Sequence, residues 1–325
     1  MKQTKTAPVI KSTTRRLKKP RYKSFHLEKR ITYKAPPTPG VKATFRETFS
    51  FIKKHRRVIF GIAGIYALLY IALVRGVGGG LDFAALKADI TNSMNLLIKD
   101  GSVSNVTTVL GLVMTLAVNP TGGQELSVAA TFYQAILLVI FVLAMIWALR
   151  QLHAGKSISV KDAYYKGMYP LVPFILIVCY ISVQLIPLIF ANIVLGVIRD
   201  SDTPVALTVA EQALWGIFWF LMMLATVYMV VGSLFALIII TLPDMTPLKA
   251  MQGAYDLLRF RRLTVIRRLV VLLAVALLAM AIIMLPALLW AVRLASLLYV
   301  LWSVLVLTLV INFLFVMYRR MLPSV

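Results

Sequence analysis

The chain is poor in the residues that most chemistry needs. Its 325 residues include one cysteine, Cys179, and three histidines, His26, His55 and His153. A lone thiol excludes an intrachain disulfide and any multi-cysteine metal site. Cys179 falls inside an apolar run, where it reads as a small filler. No histidine has a carboxylate or cysteine at ligand spacing, so no metal site is expected. Acidic residues number only 12. Those beside long apolar runs, Glu211 and Asp244, fall at the ends of the runs, as does Arg293. A charge held in mid-membrane marks an ion path because its desolvation is costly. Without one, a proton-driven pump is disfavoured. There is no phosphate loop of the P-loop or dinucleotide type and no nucleophile elbow. Gly76-Val77-Gly78-Gly79-Gly80 follows an apolar stretch and reads as a flexible exit from it. No catalytic constellation and no cofactor site emerge, so the expectation is a protein that is not an enzyme.

Hydrocarbon is what the chain has in excess. Hydrophobic residues make up 60% of it, and the mean hydropathy is +0.85. Soluble domains average about 45–50% apolar residues. No globular core could hide so much apolar surface, so the natural solvent is lipid. The fold class expected is all-α, a polytopic transmembrane helical bundle. Six spans are predicted: 58–74, 128–149, one within 170–198, one within 211–242, 269–289 and 294–317. Pro170, Pro173 and Pro187 make the third span the one most prone to break. Residues 103–118 are apolar but carry Ser104, Asn105, Thr107, Thr108 and Thr115. A span there would move twelve later basic residues across the membrane, against the positive-inside bias. Residues 76–127 are therefore expected to form an outer segment, with one or two helices lying on the bundle.

The positive charge is concentrated. Of 35 Lys and Arg residues, 18 lie in residues 1–57, opposed only by Glu28 and Glu47, a net of +16. Residues 1–40 lack apolar periodicity and are broken by Pro20, Pro36, Pro37 and Pro39, which predicts a disordered basic tail. In residues 41–57, Val41, Phe45, Phe49 and Ile52 recur at helical spacing beside Arg46, Lys53 and Lys54. That pattern predicts an amphipathic interfacial elbow leading into the bundle of residues 58–325. The long charged region and the lack of a small-residue cleavage site favour a signal anchor over a cleaved signal peptide. Six spans place 30 basic residues inside and 5 outside, so both termini are expected to be cytoplasmic, in the cell membrane. The expected partners are anionic lipid headgroups. Arg15, Arg16, Lys18 and Lys19 would meet them from the tail, and Lys53, Lys54, Arg56 and Arg57 from the flank, at roughly 1 kcal/mol each. Basic residues interleaved with Tyr22, Phe25 and Tyr33 would also suit nucleic acid. A tether beside a bilayer favours lipid.

Each inside-to-outside span follows a short amphipathic segment: 44–57, 157–167 and 246–262. The second opens with the capping pattern Ser159-x-x-Asp162. The third offers Thr246 as N-cap and Pro247 at the first helical position. Three elbow-plus-hairpin units follow from this pattern. ALIIITLPDMTPLKAMQGAYDLLRFRRLTVIRRLVVLLAVALL (236–278) and SISVKDAYYKGMYPLVPF (157–174) carry a resemblance. They resemble a bacterial six-span family that includes the membrane domain of some glycerophosphodiester phosphodiesterases. The resemblance covers roughly residues 130–317 and implies an architecture. The basic tail departs from it, and nothing here is long enough for a phosphodiesterase domain.

The third span carries the polar residues nearest to a site. Tyr180, Gln184, Pro187 and Asn192 lie at roughly helical spacing, and Gln184 and Asn192, eight apart, share a face. This face is expected to look into the bundle, either as interhelical hydrogen bonding with Asn312 as a partner or as a small polar cavity open to the outside. Function has three candidates. The first is a non-enzymatic structural, lipid- or partner-binding bundle. The second is a transporter permease subunit whose cytoplasmic segments 157–168 and 245–262 dock a separate ATPase. The third is a membrane-protein biogenesis factor with a ribosome-binding tail.

Overall fold

The computed structural model describes residues 40–75, 87–88, 91–92, 127–200, 209–243, 245–259, 261–290 and 292–322. The tail, with Arg15, Arg16, Lys18 and Lys19, lies outside the described residues, as does nearly all of the expected outer segment 76–127.

Among the described residues there is no strand, and six helices are long and apolar enough to cross a membrane. Helix α1 spans Val41–Lys54, and α2 spans Arg56–Leu69 and runs on through a π-helical turn, Tyr70–Arg75. Next come α3 (Val128–His153) and the short α4 (Val160–Gly167). The third span is two helices, α5 (Leu171–Gln184) and α6 (Ile186–Asp200). Then follow α7 (Val209–Ile239), the short α8 (Pro247–Leu258), α9 (Arg262–Trp290) and α10 (Val292–Met321). The multi-pass helical architecture expected from hydropathy is therefore present. Short helices α1, α4 and α8 each precede a span, as the elbow pattern predicts.

The caps work as their residue types require. Ser159 Oγ accepts from the Asp162 backbone N–H at 3.1 Å, and the Asp162 carboxylate accepts from the Ser159 N–H at 3.4 Å. This capping box satisfies two donors that the start of a helix leaves orphaned. The Ser159 hydroxyl and the Lys166 ammonium, 3.1 Å away, hold the Asp162 carboxyl below its usual range. At α8, Thr246 Oγ1 accepts from the Lys249 N–H and Pro247 occupies the first turn. At the other end of α3, Gly155 takes a φ of +75°, a left-handed conformation open to glycine, and reverses the chain toward α4.

Helix α10 is the hub. It packs against α1, α2, α3, α7 and α9, and Phe313, Leu314, Phe315, Val316 and Met317 are all buried. The outward faces of the spans are apolar instead, as at Leu68, Phe190, Leu278 and Ile282. A water-facing surface of that kind would be unfavourable, while lipid suits it.

Elbow α1 also buries residues that hydropathy does not mark, and the expectation about the cysteine needs correction. Elbow α1 is one continuous helix that packs Phe45 and Ile52, partly buried, against the core. Thr44 and Thr48 are its buried residues, and Phe49 is 55% exposed. The Thr48 hydroxyl donates to the Thr44 carbonyl at 2.9 Å, so the threonines can be buried against α10 without an unmet polar group. Phe45 reaches Phe313, ring centroids 5.2 Å apart. Cys179 is exposed on α5 rather than filling the core.

Elbow α4 is seated closely on α3. A Cβ on Gly167 would come 3.0 Å from the Ala144 Cα and 3.3 Å from the Leu143 carbonyl oxygen. Those atoms are helix backbone and cannot turn aside. The Tyr164 hydroxyl donates to the Ile62 carbonyl at 2.9 Å, tying α4 to α2, and burial pushes its pKa up to about 12. Gly167→Ala is expected to destabilise the protein by roughly 1–3 kcal/mol through overpacking. Tryptophan-fluorescence melting in detergent measures this; an unchanged melting temperature would count against the close contact.

Candidate functional site

The third span breaks where proline chemistry directs. Pro187 sits in the first turn of α6, where its missing N–H costs no hydrogen bond. The Leu185 N–H turns back to Ile181 and Ser182, and Leu185 in turn accepts from Leu188 and Ile189. The chain stops one helix and starts another, so the eight-residue relation between Gln184 and Asn192 does not survive. Gln184 is buried at 6% exposure, whereas Asn192 is exposed. Asn192 Oδ1 accepts from the Trp219 indole N–H at 2.9 Å and ties α6 to α7.

Gln184 faces the bundle as expected, but its partner is Ser233 of α7, whose hydroxyl donates to Gln184 Oε1 at 2.8 Å. Asn312 is the partner of another group. Its amide donates to the Thr308 carbonyl within α10 at 2.8 Å, and its buried Oδ1 has no hydrogen-bond partner.

Tyr180, Gln184 and Ser233 line a cavity of about 340 Å³. Helix α8 contributes Met251, Gln252 and Tyr255, and α9 contributes Arg262; Gly232 and Ala236 of α7 form its floor. Pro187, Asn192 and Asn312 are not among the lining residues. The cavity is thus on the side of elbow α8, not at the opposite end where an outward opening was expected.

Arg262 is the residue that sequence reasoning missed. It is one of four consecutive polar or aromatic letters, and nothing in RFRR marks which arginine turns inward. Its guanidinium carbon lies 4.7 Å from the ring centroids of both Tyr228 and Tyr255. Cation–π contacts of this kind hold a guanidinium by its face and leave its N–H groups at the edge. No aspartate or glutamate lines the cavity.

Two other spaces flank it. Between α3, α5, α7 and α10 lies a cavity of about 320 Å³ lined by aliphatic side chains and Phe174. It suits hydrocarbon. A wider groove of about 1100 Å³ runs along the elbow end between α3, the α4–α5 connection and the end of α7. Tyr165 and Tyr169 stand at its edge, 84% and 94% exposed. Arg150 lines it but is engaged, donating to the carbonyl and hydroxyl of Thr241.

The histidines take packing roles. His153 stacks on Phe51, centroids 3.9 Å apart, and lies 5.3 Å from Phe315, joining α1, α3 and α10; Arg319 contacts its Nδ1. It is half-buried, with Nε2 turned into the packing. His55, at the α1–α2 junction, has its pKa lowered by burial and by Lys54. No cluster of His, Cys, Asp or Glu suited to a metal is present among the described residues.

Comparison with family models, with curated proteins and with solved structures finds no match to this chain.

Proposed function

We propose that this protein is a non-enzymatic multi-pass bundle of the cytoplasmic membrane that binds anionic lipid headgroups at its elbow end, with both termini cytoplasmic. The observation that carries the reading is the collar at the start of the first span. Lys53, Lys54, Arg56 and Arg57 are all exposed, at the end of α1 and in the first turn of α2, whose outward face is apolar at Phe60, Ile65 and Leu68. Four cations at this position would meet the headgroups of the adjacent leaflet. The one acidic side chain of α1, Glu47, is turned to Arg320 at the end of α10. Tail residues Arg15, Arg16, Lys18 and Lys19 would add to the same attraction.

The test uses the full chain in neutral detergent, titrated with short-chain phosphatidylglycerol or phosphatidylcholine and read by native mass spectrometry. Phosphatidylglycerol should bind preferentially and more weakly as salt rises, since screening shortens to about 8 Å at physiological ionic strength. Changing Lys53, Lys54, Arg56 and Arg57 together to Gln should weaken it at least tenfold. Equal retention of the two lipids would reject the reading.

A second reading is a permease subunit that works with a separate ATPase. The 1100 Å³ groove and its exposed Tyr165 and Tyr169 favour it, because the groove lies between segments 157–168 and 245–262. Stoichiometric co-purification of a nucleotide-hydrolysing subunit in mild detergent would select it.

A further inference from the structure

We propose that the cavity between α5, α7, α8 and α9 is a binding site for a phosphate group, with Arg262 as its counter-ion. The inference rests on the reading that this chain binds anionic lipid, but concerns a site separate from the collar.

Arginines at the border of a membrane span ordinarily extend toward water or headgroups. Arg262 instead lies along the bundle. Its Nη2 is 4.0 Å from where a Cβ on Gly232 would stand. Gly232 is seven residues before Ile239, about 10 Å along a helix of 1.5 Å rise. The rings of Tyr228 and Tyr255, from two different helices, fix the guanidinium there. A guanidinium has five N–H donors and no acceptor. The Arg262 Nε is buried and has no hydrogen-bond partner. No described carboxylate forms an ion pair with Arg262. A cation held between two ring faces, with a buried Nε–H that no protein group accepts, leaves a place for an anion to complete it.

The other polar groups point to the same ligand chemistry. Ser233 occupies the Gln184 carbonyl oxygen, which leaves the Gln184 amide N–H groups to donate. Gln252 and the hydroxyls of Tyr180 and Tyr255 supply further donors around the cavity. A donor-rich pocket with one guanidinium and no described carboxylate matches the anionic oxygens of a phosphate group, which accept hydrogen bonds. Its volume of about 340 Å³ lies at the small end of ligand pockets, about 300–1,000 Å³. The rim is half open: Tyr180 is 39% and Tyr255 53% exposed. A phosphate could therefore enter as the head of a lipid or as a free ion.

The test compares three probes on the full chain in neutral detergent: inorganic phosphate, short-chain phosphatidic acid, and short-chain diacylglycerol, which has the same tails and no phosphate. Binding is read by native mass spectrometry and by the rise in melting temperature that a native-state ligand produces. Saturable one-to-one binding of phosphatidic acid alone identifies a lipid headgroup site; binding of inorganic phosphate as well identifies a site open to free phosphate. Both outcomes support the proposal. Arg262→Gln should weaken binding at least tenfold. Arg262→Lys should recover it only in part, because an ammonium lacks the planar fork. The collar variant, with Gln at 53, 54, 56 and 57, should keep the saturable site, so the two readings fail separately. Diacylglycerol binding as tight as phosphatidic acid, or unchanged binding by Arg262→Gln, overturns the proposal. Should Arg262→Gln fail to fold, Gln252→Leu combined with Tyr180→Phe takes its place, with at least a threefold loss expected and no loss overturning the site.

Discussion

Arg150→Met is expected to destabilise the bundle by about 2–4 kcal/mol, more than any other single change considered. Arg150 stands in the last turn of α3 and reaches across to Ile238 in the last turn of α7 and to Thr241 just past its end. Its guanidinium donates to the carbonyl and hydroxyl of Thr241, and to the Ile238 carbonyl at 3.5 Å. The final carbonyls of a helix have no partner within it. Here the Thr241 hydroxyl caps the Ile238 carbonyl, and Arg150, 88–91 residues away in sequence, adds donors to that carbonyl and to the Thr241 carbonyl just past the helix. The guanidinium also puts a positive charge at the negative end of the α7 dipole. Hydrogen bonds to a charged group contribute about 1.5–3 kcal/mol, and the Thr241 carbonyl that loses this donor adds to the loss, while the Ile238 carbonyl keeps the Thr241 hydroxyl at 2.8 Å. Methionine keeps most of the stem volume, so lost packing accounts for little of the effect. Arg150→Lys should restore only a fraction, since one ammonium cannot span the three acceptors. Thermal unfolding in detergent, followed by tryptophan fluorescence, distinguishes the series. A methionine variant that melts with the wild type would show that water caps α7 equally well.

Spans and elbows were legible in the sequence because each rests on a local rule. An apolar run of sufficient length makes a span, and Ser159-x-x-Asp162 and Thr246-Pro247 mark helix starts by hydrogen-bond chemistry that needs no distant partner. Their caps form as those residues imply. The buried side of α1 was not legible. Hydropathy ranks Phe49 above Thr44 and Thr48, yet the threonines pack inward because the Thr48 hydroxyl bonds back to its own helix.

The candidate site was half legible for a related reason. Gln184 looks into the bundle, and Tyr180 lines the same cavity. Asn192 does not follow them, because helical spacing relates residues only within one continuous helix and the break at Leu185 resets it. Arg262 and Arg150 act on residues of other helices, and no local pattern records which arginine of a basic cluster finds such a partner. The charge at a helix end is visible in the sequence; its direction is a property of the packing.

Impermeant thiol labelling in intact cells should give an all-or-none contrast between the two ends of the bundle. The background must first lose Cys179, which is exposed; Cys179→Ala serves. A cysteine at Lys156 or Phe260 should then resist the reagent, and one at Asp89 should react. The sidedness rests on the expectation from the sequence that six spans would put 30 basic residues inside and 5 outside. Packing motivates the grouping. Phe51 of α1 stacks on His153 at the end of α3, and Arg320 at the end of α10 pairs with Glu47 of α1. Arg150 joins the end of α3 to the end of α7. All these contacts gather at one end, and Lys156 lies three residues beyond His153. At the opposite end, the π-helical turn Tyr70–Arg75 packs against α3, so the first span finishes beside the helix that begins the return. Residues 75 and 128 therefore stand on the side away from the elbows, and Asp89 lies in the segment between them. Labelling at Lys156 with protection at Asp89 would reverse the orientation and move the basic collar to the outer leaflet. Labelling at both positions would break the grouping itself and would contradict the stacking of Phe51 on His153.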